Sequence, residues 1–313
     1  MATSGSTNFT INRDEIIRQA LLNLRVVDPA IAIGAQDISD GALGLNLMIK
    51  AWQTDGVFLW LNEEVCLHQQ YNTQYYSLGT DHCALLADSF KTQLASDAAA
   101  AATEITVDDD DDIADGDYIG IELDSGTIQW TTVNGAPSGN VVTLTDALTG
   151  AATTDRWAFS YTSKISRPLQ IIEARVRDTN DVDIPLNICT SRNEFFHQTD
   201  KTTTGEVLDV YYEPLIGNGR LYTWPVAGTT DITDRIIMTV QRVIEDLDAQ
   251  ANNFDGPVEA LEALIWNLSA RQAPQYGVDL NMGKGITIAR AAGAHYARLK
   301  SFYTDREPFQ MRP

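Results

Sequence analysis

Residues 35–56, AQDISDGALGLNLMIKAWQTDG, form the most informative stretch of the sequence for the fold. Apolar side chains recur in it every three or four residues, which is the period of one helix face. These side chains are Ile38, Ala42, Leu45, Ile49 and Trp52. Asp55-Gly56 is a typical helix end. The stretch therefore predicts a long helix with one buried side.

Helices are also predicted near both ends of the chain. Asn12 suits an N-cap and Glu15 follows it as in a capping box. Pro257 is expected at the first position of a later helix that stops at Ala273-Pro274, and a last helix is expected over roughly 284–302. The stripe of the later helix is Val258, Leu261, Leu264, Ile265 and Leu268. Because sequence-distant helices with apolar faces pack together, residues 1–62 and 244–302 predict a helical bundle.

The middle of the chain is typical of strands. Arg235–Val243 alternates, so Ile236, Met238 and Val240 are expected to point inward. Further strand-like segments are 63–90, 171–176, 184–188, 207–212 and 220–224. We therefore expect an α+β fold with a β-rich body built from residues 63–92 and 162–243.

A small antiparallel β-module is predicted as an insertion over residues 93–161. Ile119, Ile121 and Leu123 alternate, a turn follows at 124–126, and a second alternating run contains Trp130. The module holds thirteen acidic residues and one base, Arg156, so its formal charge is −12. It accounts for more than half of the charge of the whole chain.

The composition of the 313-residue chain excludes some classes of protein. Its 22 Lys and Arg against 43 Asp and Glu give a net charge of −21, which argues against a protein that wraps DNA through a basic surface. The three cysteines do not form a disulfide scaffold and are expected to be reduced thiols. With no apolar run of ~18 residues and no signal-peptide pattern at its start, the chain is expected to be soluble and made in the cytoplasm, with no membrane contact.

No catalytic, cofactor or metal residues are predicted. Gly283-Lys284 lacks the glycine spacing and the Ser or Thr of a phosphate loop, and Asp108–Asp112 does not fit a calcium loop, although weak calcium binding stays open. Cys66, His68, His82 and Cys83 lack the intervals of a zinc site. Cys66 and His68 are instead expected on one face of a strand. We therefore expect no cofactor and no enzymatic activity.

Several short segments outside the module, in the order in which they occur along the chain, together resemble a known protein family. They are 13–17, 45–56, 59–60, 183–186, 191–194, 211–214, 219–225, 241–246, 263–268 and 273–277, which include Leu59-Trp60, Tyr211-Tyr212-Glu213-Pro214 and Gly219-Arg220-Leu221-Tyr222-Thr223-Trp224-Pro225. This ordered set resembles the head-to-tail adaptor proteins of short-tailed bacteriophages, also called tail-tube-A-like or packaged-DNA-stabilisation proteins. The resemblance covers about 9–91 and 164–313. Residues 93–161 depart from it as a family-variable insertion, and Val243 stands where the family has Pro.

The resemblance implies a structural role in the neck or tail of the virion, for a protein that is synthesised in the host bacterial cytoplasm. Such proteins form a ring, expected to be dodecameric, below the portal after DNA packaging; they help to retain the genome and offer a platform for the tail. The implied partners are the portal protein, further copies of the chain, and downstream nozzle or tail-fibre proteins. Double-stranded DNA is expected to pass without sequence-specific binding. The implied fold is a helical bundle joined to an antiparallel β-sandwich-like body.

The resemblance also implies that a C-terminal extension docks on the portal. Residues 284–313 hold six Lys and Arg against two acids, a charge of +4 in a chain of −21, which suits a partner of opposite sign. The expected portal-binding residues are Arg298, Lys300, Arg306, Phe309 and Arg312, the last three in a C-terminal arm over 303–313.

A second set of residues is expected to anchor the core or the contacts between subunits, because large aromatic side chains bury much apolar area. The set is Trp52, Trp60, Tyr212, Trp224 and Trp266. Two other functions stay open. A tail-associated cell-wall hydrolase needs a carboxylate pair or a metal site in a cleft. A glycan-binding tail or decoration protein would use Trp130 or Trp157.

Overall fold

The computed structural model describes residues 9–55, 57 and 61–302. These residues form a mixed α and β fold with several antiparallel sheets, as the alternation of the sequence predicts. The helices are α1 Arg13–Leu24, α2 Ala35–Thr54, α3 Arg192–Phe196, α4 Leu261–Gln272 and α5 Lys284–Phe302. No helix in the described part of the chain is long and apolar enough to cross a membrane.

The strands are short and follow one another along the middle of the chain. They are β1 Asn62–His68, β2 Tyr75–Leu78, β3 Cys83–Leu85, β4 Phe90–Gln93, β5 Glu104–Thr106, β6 Tyr118–Leu123, β7 Thr127–Thr132, β8 Val141–Thr143, β9 Trp157–Tyr161, β10 Gln170–Arg177, β11 Asp183–Pro185, β12 Asn187–Ile188, β13 Asp209–Glu213, β14 Gly219–Trp224 and β15 Arg235–Gln241. The chain divides into two compact units, with the boundaries at Leu61/Asn62 and Val243/Ile244.

The helical unit comprises the residues up to Leu61 and those from Ile244 onward. Asn12 caps α1 as predicted, because its Oδ1 accepts the Glu15 N–H at 2.9 Å. Both the N-terminal and the C-terminal helices contribute to one hydrophobic cluster, which includes Ile17, Leu21, Leu45, Trp52, Leu264, Leu268 and Ile288. The apolar faces predicted for α1, α2 and α4 are therefore buried against one another.

The start of α4 differs from the sequence prediction. Pro257 has an extended backbone and precedes a 3-10 turn over Val258–Ala260, so the α-helix begins only at Leu261. Val258 is 41% exposed and does not belong to the buried stripe. The end at Gln272, before Ala273-Pro274, is as predicted.

The second unit spans Asn62–Val243 and contains the β-rich body. The two sheets of the body have the strand orders β11-β10-β15-β1-β3 and β12-β13-β14-β2. Inward residues of both sheets share one hydrophobic cluster, and Ile236, Met238 and Val240 of β15 are in it as predicted. The segment 184–188, expected as one strand, is two. The chain leaves the first sheet after Pro185 and enters the second at Asn187. Pro185 fits the edge strand β11, because an edge residue needs no N–H for the ladder.

The inserted module has a four-stranded sheet, β4-β9-β6-β7, a two-stranded ladder, β5-β8, and its own hydrophobic cluster. Ile119, Ile121 and Leu123 of β6 point into that cluster. The module sheet begins at Phe90, which pairs with Ser160, so β4 starts before the predicted boundary at residue 93.

Candidate functional site

The predicted portal-binding residues fall partly within the described chain. Arg298 and Lys300 lie exposed on the last turns of α5. Arg306, Phe309 and Arg312, together with the arm over 303–313, lie outside the described residues.

Helix α5 differs in charge from the rest of the chain. It contains Lys284, Arg290, Arg298 and Lys300, and it contains no Asp or Glu. The Lys284 ammonium donates a hydrogen bond to the Leu24 carbonyl at 2.8 Å, whereas the Arg290 and Arg298 side chains are exposed. The helix therefore exposes the cationic side chains of Arg290 and Arg298.

The predicted anchors within the helical unit lie in or beside its core. Trp52 is 5% exposed and its ring lies 5.4 Å from that of Tyr296. Trp266 is half-buried and its ring is parallel to the His295 imidazole at 6.4 Å. Trp60 lies outside the described residues.

The anchors within the β-rich body are held by hydrogen bonds. Tyr212 donates its hydroxyl to the Pro168 carbonyl at 2.5 Å, and Trp224 donates its indole N–H to the Asp200 carbonyl at 2.7 Å. Both side chains are half-buried and pack against apolar clusters of their own sheet. In this chain they stabilise the sheet that carries them.

One face of that sheet carries aromatic and charged side chains in register. Tyr75, Tyr222 and Tyr211 are direct cross-strand neighbours on β2, β14 and β13. The Arg220 guanidinium lies 4.4 Å from the Tyr75 ring centroid, and Tyr222 donates its hydroxyl to Glu213 at 3.2 Å. Tyr75 is 47% exposed, so part of this face is open.

A buried cluster that the sequence analysis did not predict joins the module to the body. His82 lies parallel to Trp130 of β7, with ring centroids 3.9 Å apart and an interplanar angle of 8°. His82 Nδ1 and the Tyr161 hydroxyl of β9 are 2.7 Å apart. His68 lies within 5.8 Å of the Trp130, Phe159 and Tyr161 rings.

Burial changes the acid–base chemistry of this cluster. It lowers the pKa of His68 to about 3, with the nearby Arg235 charge as a second cause. It lowers the pKa of His82 to about 3 as well, with Lys164 contributing. It raises the pKa of Tyr161. Both imidazoles are therefore neutral at pH 7.

The junction continues beyond the histidines. Ile128 and Phe159 of the module share a hydrophobic cluster with Ala227 and Ile232 of the body. At the β6–β7 turn, Gly126 has a φ of +75°, and a Cβ there would lie 2.7 Å from the Thr229 side chain. The module is thus bound to the body over a packed surface.

The cysteines and the other candidate metal ligands serve packing. Cys66 Sγ lies 3.9 Å from His68 Nε2, which confirms that the two side chains share a face of β1. Cys66, Cys83 and Cys189 are buried free thiols, and burial raises the pKa of each. Among the described residues, no group of three or more His, Cys, Asp or Glu side chains is placed to hold a metal ion.

The two tryptophans considered for glycan binding already have partners. Trp130 stacks on His82, so one face of its ring is covered. The Lys91 ammonium lies 5.5 Å from the Trp157 ring centroid and donates to the Thr179 carbonyl and to Asp181. Neither indole presents a ring that is free of the protein on both faces.

Comparison with known proteins adds little to this geometry. No family model matches the sequence, and no curated protein matches it. Among solved structures, the chain is similar to the tailspike Gp54 of Acinetobacter baumannii bacteriophage AP22, solved in complex with A. baumannii capsular saccharide, with a TM-score of 0.22 and 17% identity. The match covers 25% of this chain and 16% of the tailspike chain, which is too little to assign a fold or a function.

Proposed function

We propose that the protein is a structural component of a bacteriophage virion, a head-to-tail adaptor that binds the portal as a ring after DNA packaging. In this role it helps to retain the genome and provides the attachment platform for the tail, without catalysis. The two units correspond in this proposal to a helical bundle and a β-sandwich-like body.

The observation that carries the proposal is the charge of α5. Four cationic side chains without an acid stand on the last helix of a chain whose net charge is −21, and Arg290 and Arg298 are exposed. A concentration of positive charge on one helix of an acidic chain favours docking on a partner of opposite sign, because complementary potentials steer association and fix register.

The position of the resembling segments supports the same role. Segments 13–17, 45–55, 263–268 and 273–277 lie on or next to α1, α2 and α4, and segments 211–214 and 219–225 on or next to β13 and β14. Residues 93–161, which depart from the family resemblance, form a module with its own hydrophobic core. This is the arrangement expected when a variable module is added to a retained framework.

The test is binding to the purified portal of the phage that encodes this chain, followed by electron microscopy of the mixture. We expect the chain to add a ring at one end of the portal. The double variant Arg298→Glu/Lys300→Glu should weaken binding at least about tenfold, which corresponds to about 1.4 kcal/mol. The control is Asp111→Lys/Asp112→Lys in the module, which changes the charge by as much and should leave portal binding unchanged. A wild-type chain that does not bind the portal would refute the proposed function.

A further inference from the structure

The solvent side of α2 carries an uncharged ridge in a strongly acidic protein. Ser39, Leu43, Leu47 and Ala51 follow one another at intervals of four residues and are all exposed. Leu43 is 63% exposed and Leu47 is 50% exposed. Single exposed leucines are ordinary, but two on successive turns form a continuous apolar ridge of the kind that packs into the groove of another helix.

A groove of about 380 Å³ lies beside this ridge. Its walls include Ile38, Ala42 and Leu43 of α2, and Leu247 and Asp248 from the segment that follows β15. Asp248 is exposed, and its backbone carbonyl accepts a hydrogen bond from the Arg13 guanidinium at 2.7 Å. Arg13 also lines the groove, but its guanidinium is ion-paired with Asp14 at 2.9 Å, so Asp248 leaves this border of the ridge with a net negative charge.

The chain itself offers a surface of matching size and opposite charge. Arg290, Ala294, Ala297 and Ser301 lie exposed along one side of α5, at spacings of four, three and four residues. Apart from Arg290 these side chains are small, so a leucine ridge can approach the helix closely. Helix α5 has four bases and no acid, whereas α2 has Asp37 and Asp40 against Lys50.

We propose that the Leu43–Leu47 ridge of one copy packs against the Arg290–Ser301 side of α5 in the next copy, with Arg290 near the partner's groove. The inference rests on the proposed ring function and names the surfaces that build the ring. Because each copy uses a different surface on each side, the contact is heterologous and can repeat until a ring closes. Arg298, which is exposed, lies on the margin of this side, outside the proposed contact.

The first experiment is disulfide trapping of the full chain, alone at high concentration and on the portal. The variant Leu43→Cys/Ala297→Cys should give a ladder of covalent multimers under mild oxidation, because each copy carries both halves of the contact. Leu43→Cys and Ala297→Cys alone, mixed in equal amounts, should give dimers and no higher species. The native cysteines are buried and do not interfere.

The second experiment blocks the contact without touching the core. Ala297→Trp and Leu43→Glu/Leu47→Glu change exposed positions, so thermal unfolding should not change. Each should raise the concentration for half-assembly on the portal by at least about tenfold, or about 1.4 kcal/mol. The matched control is Leu208→Glu, at a position 52% exposed in the other unit, which should alter assembly less than about twofold.

The outcomes separate the two proposals. Portal binding without a ladder, or with a disulfide between Leu43→Cys and the portal, overturns the proposed contact and leaves the adaptor function intact. A ladder in a chain that does not bind the portal supports the contact and refutes the adaptor function. Dimers from Leu43→Cys alone would show an isologous contact and overturn the heterologous one. Normal assembly by Ala297→Trp would also overturn it.

Discussion

His82 and Trp130 stack face to face, with ring centroids 3.9 Å apart and planes 8° from parallel. His82 belongs to the body and Trp130 to the module that runs from β4 to β9, so this pair joins two parts of one unit that have separate cores. The sequence predicts the module as an insertion that protrudes from the surface. The structure adds that one face of its sheet is buried against the body, which makes the module a structural partner of that body.

Removal of the Trp130 ring should therefore destabilise the whole unit. Trp130→Ala takes away the partner of His82 and the neighbour of His68, and we expect the free energy of unfolding to fall by about 3 kcal/mol, near the lower end for buried aromatic residues because Trp130 is half-buried. Urea denaturation measures the change. Tyr75→Ala is the control, since that ring is 47% exposed, and it should change stability by less than half as much. Equal effects of the two substitutions would contradict the role given to Trp130.

The same cluster predicts how stability depends on pH. His68 and His82 have a pKa of about 3 in the folded chain, against an ordinary value of 6.5, so the unfolded chain binds more protons between these values. Their contribution is fully present above pH 6.5 and is lost as the pH falls toward 3, with a slope of up to about 1.4 kcal/mol per pH unit for each histidine. Asp234 opposes this, because burial raises its pKa from 3.8 to about 6. The loss of stability from the two histidines exceeds the gain from the one carboxyl group, so the free energy of unfolding should fall in acid.

The measurement is the free energy of unfolding between pH 7 and pH 4 for the wild type and for His82→Gln. The variant cannot take up a proton at this position, so its stability should fall less steeply with acid than that of the wild type. The charges that face the histidines include Arg235 beside His68 and Lys164 beside His82, and each contributes to the lowering of the histidine pKa. The same slope in both proteins would show that His82 does not contribute to the loss.

Local patterns predict much of this fold, and long-range contacts do not follow from them. The N-cap of α1, the apolar faces of α1 and α2 and the alternation of β15 depend on residues a few positions apart, which the sequence displays directly. The stacking of His82 on Trp130 joins residues far apart in sequence. Neither residue stands in a pattern that distinguishes it from a surface residue.

The change of sheet at Leu186 was missed for a similar reason. The parallel pairing of β12 with β13 depends on where two distant segments meet, and a run of five strand-like residues gives no sign of it. Helix α3 is too short for its periodicity to show. The spacing of Ser191 and Glu194 nevertheless indicates a helix start. In the structure the Ser191 hydroxyl accepts the Glu194 N–H at 3.2 Å, and the Glu194 carboxylate accepts the Thr190 N–H at 2.9 Å.

The cap of α1 gives a prediction for the helical unit. Asn12→Ala leaves the Glu15 N–H without its acceptor at 2.9 Å, so stability should fall by about 1 kcal/mol. Asn12→Asp keeps an acceptor and also places a negative charge at the helix N-terminus, so it should retain the wild-type stability. Thermal unfolding of the three proteins measures both effects. If the two substitutions destabilise equally, the cap is not the source of the stabilisation.

In the acidic run Asp108–Asp112, some carboxylates accept hydrogen bonds from backbone N–H groups of a turn, and the others contribute only negative charge. Asp109 Oδ1 accepts the Asp111 N–H at 3.0 Å, and Asp110 Oδ2 accepts the Asn140 N–H at 3.1 Å. Asp108, Asp111 and Asp112 are exposed. A variant with these three changed to Ser should keep the turn and unfold within about 0.5 kcal/mol of the wild type, with or without added calcium. Asp109→Ala/Asp110→Ala should instead be destabilised by about 1 kcal/mol for each lost hydrogen bond.

This triple Ser variant also tests where the charge of the module acts. We place the module on the outside of the proposed ring, where a charge of −12 keeps free subunits soluble, because a net charge far from zero limits association. Phage particles that carry the variant should therefore form normally and eject DNA at the wild-type rate, while the free protein should precipitate at a lower concentration. If the charge instead lined the path of DNA, its repulsion would keep phosphates from the wall, and the loss of three carboxylates would slow DNA exit in a salt-dependent way. Slower exit from variant particles of normal composition would show that the module lies at the mouth of the channel.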